Sequence, residues 1–354
     1  MSDINKNYFE KLDPSLKKYF KILSNEIPDF LYEYINVPEM QKQAGVSVSC
    51  GTIYSKLFQH GFWYSSLDHS VAVALIVWNF TKDKKQTLAG LFHDISTPVF
   101  KHCIDFMNGD YEKQESTEDL TEKIIRDSEE IMRLLNRDGI KVEEVSDYHI
   151  YPIADNDTPN LAADRLEYTL SNGLGAVESI WSLEDIEEVY KDIEVQKNEQ
   201  GIDELGFKSK EKAEKFVHIM SKLSRMYIRS KTKFSMQFLA DIMKQMSNQN
   251  LITKKDLYEL SEKEIIKKIE KCNYGNISKN FKIWKNAEMI KESDFAIENK
   301  YCVDINCKRR YIKPLVNVNG NYTRIDKISD TAKKDIEDVL NYTTKKYTYL
   351  DFKF

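Results

Sequence analysis

The chain has 354 residues, of which 41% are hydrophobic and 31% are charged, and its formal net charge is −5. This composition is typical of a globular enzyme with a buried core and two or so domains, and the negative charge argues against a chain-wide attraction to nucleic acid. The longest apolar stretch, Val71 to Trp78, is far shorter than the ~18–20 residues of a membrane span.

The N-terminus and the cysteines predict an intracellular protein. Residues Met1 to Lys6 lack the apolar core of a secretory signal. The five cysteines are odd in number and form no CxxC pair. We therefore expect reduced thiols and a cytoplasmic location.

Helix dominates the predicted secondary structure. Glycine and proline are few, and stretches such as Glu118 to Asn136 place apolar residues three and four positions apart among charged ones. Gly139 is positioned to end that helix. Further along, Ser182 and Asp185 have the spacing of a capping box that begins another helix.

The stretch from Lys208 to Lys233 is locally basic. Its aromatic residues, Phe216, Tyr227 and Phe234, are spaced more like a stripe of helix core than like a platform for stacked bases. We interpret the charges as a solvated helix face, and we expect no nucleic-acid partner.

The C-terminal part carries the strand signals. The polar run Glu194 to Lys210 predicts an internal loop or domain boundary. Strand character begins near Arg310, and Asn319-Gly320 between two such runs is a strong signal for a β-hairpin. Asp330 to Leu340 predicts a final amphipathic helix. We therefore predict a mainly α protein with a small C-terminal α+β appendage that contains the hairpin.

Four residues, His69, His93, Asp94 and Asp164, form an ordered set of candidate metal ligands. Neighbours on a helix point about 100° apart, so His93 and Asp94 rarely meet each other but can both reach one ion near a helix end. Imidazole and carboxylate ligands suit a divalent metal, and iron, manganese, magnesium and zinc all remain possible. The alternatives are a core hydrogen bond for the histidines and helix capping for the aspartates.

Three segments resemble the HD-domain metal-dependent phosphohydrolases, and within them the deoxynucleoside triphosphate triphosphohydrolase (dGTPase-like) branch. They are residues 66–74 around His69, 91–105 around His93-Asp94, and 163–168 around Asp164. The resemblance extends over residues 35 to 172. It implies an HD-domain helical bundle that holds a divalent metal at these four ligands and acts on a nucleotide.

The activity implied by the resemblance is hydrolysis of a deoxynucleoside triphosphate by attack of a metal-activated water on a phosphoryl group. Two alternatives stay open. One is a nucleotide phosphatase or phosphodiesterase of different specificity, and the other is a nucleotide-binding sensor or interaction protein with weakened catalysis. The only indication of a homo-oligomer is the resemblance to this family.

The chain departs from the family pattern at three positions. Thr97 and Gln114 replace two family histidines, and neither side chain can donate a proton near neutral pH. Ser66 stands where the family carries an arginine for the phosphate chain, and Lys101 is the candidate to replace that charge. These replacements are the reason for keeping the alternative hydrolases.

Other family positions match. His102 and Asp105 are retained, and Glu115 keeps the carboxylate of the second family pair. We therefore predict these three as catalytic residues, with His102 as a proton donor oriented by Asp105. A structural hydrogen bond is the alternative for His102.

The resemblance also implies substrate-binding residues. Arg165 and Tyr168 lie three apart on one helix face beside Asp164, and in the family these positions approach the phosphates and the sugar. Arginine suits bidentate phosphate contact, and a surface ion pair is the alternative. The predicted substrate-binding set is Lys101, Gln114, Arg165 and Tyr168.

The polar stretch 147–159 leads directly to Asp164 and predicts an active-site loop. His149 within it is a candidate acid or extra ligand, but we favour a solvent-exposed side chain. The predicted organisation is a helical segment at 1–34, the HD metal-binding domain at 35–193, a helical region at 194–300, and the hairpin and helix at 301–354.

Overall fold

A computed structural model describes residues 7–114, 116 and 120–354, and these residues are mainly α-helical, as predicted. The helices are α1 (Asn7–Lys11), α2 (Pro14–Leu23), α3 (Asp29–Ile35), α4 (Pro38–Lys42), α5 (Ser66–Thr81), α6 (Lys84–Phe92), α7 (His102–Asn108), α8 (Thr121–Asp127), α9 (Glu129–Asp138), α10 (Ala163–Ser171), α11 (Leu183–Lys191), α12 (Lys210–Ile228), α13 (Ser230–Asn248), α14 (Lys254–Glu259), α15 (Glu262–Glu270), α16 (Ile277–Asn286) and α17 (Asp330–Leu340). The strands are β1 (Ile193–Lys197), β2 (Asp203–Phe207), β3 (Lys291–Ser293), β4 (Tyr301–Val303), β5 (Leu315–Val318), β6 (Asn321–Arg324) and β7 (Tyr347–Leu350).

Helix α5 forms the centre of the larger apolar core. Its side chains from Ser66 to Val77 are all buried, because α2, α6 and α10 pack around it. The helix begins with a capping box in which the Asp68 amide donates to Ser65 Oγ (3.1 Å) and the Ser65 amide donates to Asp68 Oδ2 (2.9 Å). This cap fixes the position of His69 in the first turn.

Helices α6 and α10 bring the other candidate ligands to α5. Helix α6 ends at Phe92, His93 is its C-cap residue, and Asp94 follows. Helix α10 has Ala162 at its N-cap, and Asp164 lies in its first turn without occupying the capping position. The end of one helix and the start of another therefore point their polar side chains at α5.

A second apolar cluster supports α7, the helix that carries His102 and Asp105. Helix α13 packs against α7, and Phe238 and Trp284 lie at the cluster's centre with ring centroids 5.7 Å apart. The antiparallel sheet β3-β7-β4 packs on α13. Phe234 belongs to this cluster and is fully buried, as the aromatic stripe predicts.

The predicted C-terminal hairpin is confirmed, and a predicted loop is wrong. Strands β5 and β6 pair antiparallel around Asn319 and Gly320, whose φ angles are 53° and 87°. The stretch 194–210 is not a loop, because β1 and β2 form a hairpin there and β2 pairs in parallel with β5. One of its polar residues, Glu204, is buried in the sheet, where its Oε1 lies 2.6 Å from Arg324 Nη1.

Local signals at helix ends are largely confirmed. Gly139 ends α9 with a φ of 66°, and the Ser182 capping box begins α11. The predicted helix 118–136 is interrupted at Ser128, whose side chain caps α9 by accepting from the Ile131 amide (3.2 Å). Glu118 lies outside the described residues.

The four predicted segments share one core. It contains Tyr19, Leu75, Phe216 and Ile336, one residue from each segment. The boundaries themselves stay predictions. All five cysteines are free thiols, and none of the helices in the described part of the chain combines the length and hydropathy that a membrane span requires.

Candidate metal centre and cleft

The side chains of His69, His93 and Asp94 converge in one cluster. The two histidine Nε2 atoms lie 3.1 Å apart, and Asp94 Oδ2 lies 3.9 Å from each of them. Asp164 reaches the same place from α10, with Oδ1 3.1 Å from His69 Nε2 and 3.7 Å from His93 Nε2. The fold therefore brings the four predicted ligands together.

Each imidazole is oriented through its other nitrogen. His93 Nδ1 donates to the Gly90 carbonyl (2.7 Å), and His69 Nδ1 donates to Glu167 Oε2. With Nδ1 protonated, each neutral ring carries a lone pair on Nε2, and two lone pairs at 3.1 Å repel unless positive charge lies between them. The donor set therefore fits a cation, and outer hydrogen bonds of this kind are usual for metal-binding histidines.

Carboxylates dominate the electrostatics of the cluster. Burial lowers the pKa of His69, but Glu167 and Asp164 outweigh burial and raise that pKa to about 10. Burial raises the pKa of Asp94, whereas Lys101 and the two histidines hold it well below its usual range. The cluster thus requires positive charge, which either a proton on His69 or a metal ion supplies.

Glu167 is the buried partner of His69 that the sequence analysis missed. Its side chain is fully buried, and its Oε1 accepts hydrogen bonds from the hydroxyls of Tyr19 (3.0 Å) and Tyr64 (2.7 Å). Tyr19 comes from α2, so the N-terminal helices take part in holding the site. The spacing of three residues from Asp164, which places both on one face of a helix, is the signal that would have found Glu167.

A cleft of about 330 Å³ opens over the cluster, which is within the size range of small-molecule sites. The predicted substrate-binding residues and His102 all line it. Thr97 is buried and does not contribute to the lining. Glu115 lies outside the described residues.

His102 and Asp105 form the predicted pair. His102 Nδ1 donates to Asp105 Oδ2 (2.9 Å), and the buried Asp105 accepts from Ser116 Oγ (2.7 Å) through its other oxygen. Burial lowers the pKa of His102, and the hydrogen bond to Asp105 only partly offsets this. The ring is therefore neutral near pH 7, and its unprotonated Nε2 accepts a long hydrogen bond from Arg310 Nη2 (3.4 Å) at the cleft.

Both cations of the predicted substrate-binding set are paired with carboxylates. Lys101 Nζ lies 2.5 Å from Asp94 Oδ2 and donates to Ser66 Oγ (3.1 Å). Its charge thus lies beside the serine that stands where the resembled family has an arginine. Arg165 Nη2 lies 3.1 Å from Asp155 Oδ1.

Arg310 and Tyr227 line the cleft, a position that the sequence analysis predicts for neither of them. The sequence predicts strand character from Arg310, but β5 begins only at Leu315, and Arg310 Nη2 donates to Gln114 Oε1 (2.7 Å) in the cleft. Tyr227 packs against the larger apolar core, as the aromatic stripe predicts, and it also lines the cleft, where its hydroxyl accepts from Asn172 Nδ2 (2.8 Å). No local motif marks these residues, because tertiary packing alone brings them to the site.

The stretch 147–159 lines the cleft, as predicted. A 3₁₀ turn at Tyr148–Ile150 places the Tyr148 ring 5.3 Å from the His93 ring. His149 is exposed, in agreement with the favoured interpretation, and its Nδ1 lies 3.0 Å from Asp147 Oδ1. The loop therefore closes one side of the candidate metal centre.

Comparisons with known proteins bear on the fold. No protein-family model matches the chain. The uncharacterized protein YdhJ of Bacillus subtilis (strain 168) is 31% identical over 104 residues, a match that covers 29% of this chain and only 31% of that protein. A phosphohydrolase from Bacteroides thetaiotaomicron VPI-5482 superposes with a TM-score of 0.62 at 13% identity, over 93% of this chain and 97% of that one. The chain shares the fold of this phosphohydrolase.

A second solved structure agrees. A hypothetical protein from Aquifex aeolicus superposes with a TM-score of 0.61 at 15% identity, over 92% of this chain and 93% of that one. At such identities the likeness establishes the fold alone. The chemistry of the site is therefore argued from the side chains of this protein.

Proposed function

We propose that the chain is a metal-dependent phosphohydrolase that acts on a nucleotide, with a deoxynucleoside triphosphate as the leading substrate. The proposal is carried by one observation, the approach of the His69 and His93 Nε2 atoms to 3.1 Å with both Nδ1 atoms engaged elsewhere. The fold shared with a phosphohydrolase supports the reaction class. The resemblance to HD-domain enzymes supports the nucleotide.

In this proposal His69, His93, Asp94 and Asp164 hold a divalent ion, and iron, manganese, magnesium and zinc are all compatible with such ligands. When bound, the ion lowers the pKa of a coordinated water and polarises the phosphoryl group. Glu167 keeps His69 in the tautomer that leaves Nε2 free to bind a metal.

His102 handles the proton in this proposal. Asp105 accepts the Nδ1 hydrogen, and a substrate oxygen takes the place of the long contact between Nε2 and Arg310 Nη2 (3.4 Å). A phosphate anion at Nε2 favours the protonated ring, because a nearby opposite charge raises a histidine pKa. The imidazolium then donates its Nε2 proton to the leaving oxygen.

A nucleotide phosphatase or phosphodiesterase is the second candidate, and Gln114 favours it. The Gln114 amide oxygen accepts from Arg310, and an amide delivers no proton near neutral pH. An amide at the position of the family histidine cannot protonate a leaving group, which favours a substrate whose leaving group differs from that of a deoxynucleoside triphosphate.

Product analysis tests these functions. The full-length protein, loaded in turn with each of the four metals, is incubated with a nucleotide mixture, and products are identified by mass spectrometry. We expect inorganic triphosphate and a nucleoside. Orthophosphate or a linear nucleotide would favour the second candidate, and binding without turnover across the mixture would favour a sensor.

A further inference from the structure

Lys101, Arg165 and Arg310 are three of the cationic side chains that line the cleft, and they differ in how their charge is balanced. Lys101 is paired with Asp94 and Arg165 with Asp155. Arg310 contacts only uncharged groups, namely Gln114 Oε1 (2.7 Å), His102 Nε2 (3.4 Å) and the Tyr168 ring, 5.9 Å from its guanidinium carbon. No carboxylate among the described residues forms an ion pair with it.

The guanidinium of Arg310 also retains donors that can bind a ligand. Both of its side-chain hydrogen bonds use Nη2. Its Nε and Nη1 groups donate to no atom among the residues that the structure describes, although Arg310 lines the cleft. These two groups point to different sides of the guanidinium, so each is available to donate one charge-assisted hydrogen bond to a phosphate oxygen.

Arg310 is connected to the metal-ligand cluster through two neighbouring residues, His102 and Lys101. His102, which it approaches, directly follows Lys101, whose ammonium reaches Asp94 of the metal-ligand cluster. A partly buried cation without a counter-ion is unfavourable in the free protein and becomes favourable when an anion binds. The anion expected beside a phosphohydrolase centre is a phosphate group.

We infer that Arg310, from the C-terminal segment, binds a phosphate oxygen of the substrate through an N–H group, Nε or Nη1, that it does not use within the protein. The inference rests on the proposed function and deepens it, because it names a further residue that contacts a phosphate group. Gln114 then acts as the positioning residue that fixes the guanidinium through Nη2.

Substitution of Arg310 tests the inference in the full-length, metal-loaded protein. We expect Arg310→Gln to raise KM for the best nucleotide by about 10- to 100-fold, the usual effect of losing a charge-assisted hydrogen bond. Arg310→Lys keeps the charge without the planar guanidinium and should recover part of that loss. The matched control is Arg309→Gln, which removes the same charge from the neighbouring exposed residue, whose guanidinium contacts the Val339 and Leu340 carbonyls instead.

Isothermal titration with sodium tripolyphosphate gives a readout independent of turnover. We expect Arg310→Gln to lose affinity by a similar factor, whereas Arg309→Gln and the wild type bind equally. Equal affinity and equal KM in both glutamine variants would overturn the inference, even if the wild type hydrolyses nucleotides. If the wild type hydrolyses none, the proposed function fails, and the tripolyphosphate titration alone decides whether Arg310 binds phosphate. Thermal melting of each variant, with Arg310→Lys as the conservative reference, excludes unfolding as the cause.

Discussion

Glu167 accepts a hydrogen bond from Nδ1 of His69 in a position that solvent does not reach. The buried carboxylate leaves the imidazole one tautomer in which Nε2 faces His93 and the two aspartates. Tyr19 and Tyr64 hold the other carboxylate oxygen. The orientation of this candidate ligand is therefore fixed by the helical core.

Replacing Glu167 with Gln should weaken metal affinity by about 10- to 100-fold, the usual cost of losing such an outer partner. The amide NH₂ can donate to His69 Nδ1 and so move the ring proton to Nε2, where it blocks the metal. Competitive titration with a chelator measures the dissociation constant. Glu188→Gln, an exposed carboxylate on α11, is the control, and equal affinity in both variants would show that Glu167 has no role in metal binding.

His102→Ala should lower the turnover number by roughly 10²–10⁴, the range expected for a lost general acid, with unchanged metal content. Because burial lowers the pKa of free His102 below its ordinary 6.5, kcat/KM of the wild type should fall as pH rises through that lowered value. This limb should vanish in His102→Ala. His218→Ala, on an exposed residue of α12 paired with Asp335, is the control. Unchanged turnover would remove His102 from the mechanism.

Gln114→His separates the two candidate hydrolases. If the substrate is a deoxynucleoside triphosphate, restoring the family histidine should raise turnover, because an imidazole can deliver a proton that an amide cannot. Steady-state rates with deoxynucleoside triphosphates and with the best native substrate measure the effect. A native reaction that slows on this change would count against the triphosphohydrolase and leave the metal assignment intact.

Glu262 gives a pH-dependent stability prediction. Its Oε1 accepts from the Ser47 amide (3.0 Å) and the Phe100 amide (3.4 Å), and burial raises its pKa from 4.5 to about 8. Because the folded state binds this proton more tightly, the stability it contributes is complete below pH 4.5 and is lost as pH rises to about 8. Glu262→Gln removes this loss.

Melting temperatures of Glu262→Gln and the wild type, measured from pH 5 to pH 9, test this prediction. The difference in favour of the glutamine variant should widen with rising pH. For the exposed Glu259→Gln control on α14, the difference from the wild type should stay constant. A constant difference for both variants would mean that Glu262 is ionised in the folded protein at all these pH values.

The sequence predicts those parts of the fold that local rules determine. The Asn319-Gly320 turn and the helix Asp330–Leu340 follow from φ preference and from apolar periodicity. The meeting of His69 with His93 follows from family order, since their separation along the chain alone does not place them together. The structure supplies the distances that the motif cannot.

Other features depend on partners that are distant in sequence. The β1–β2 hairpin looks like a loop because it is polar, yet Glu204 is buried there against Arg324, 120 residues away. Arg310 reaches Gln114 across 196 residues. Neither contact produces a periodic pattern in the sequence, so residue propensity and apolar periodicity cannot predict these two pairs.

The metal content of an Asp94 variant tests the central claim most directly. The full-length wild type and Asp94→Asn are purified side by side, with the exposed Asp127→Asn as control, and their divalent metals are quantified by elemental analysis together with circular dichroism. The account predicts bound metal and hydrolysis in the wild type and the control, and loss of both in Asp94→Asn with helix content close to that of the wild type. Full metal occupancy in Asp94→Asn would contradict the four-ligand centre.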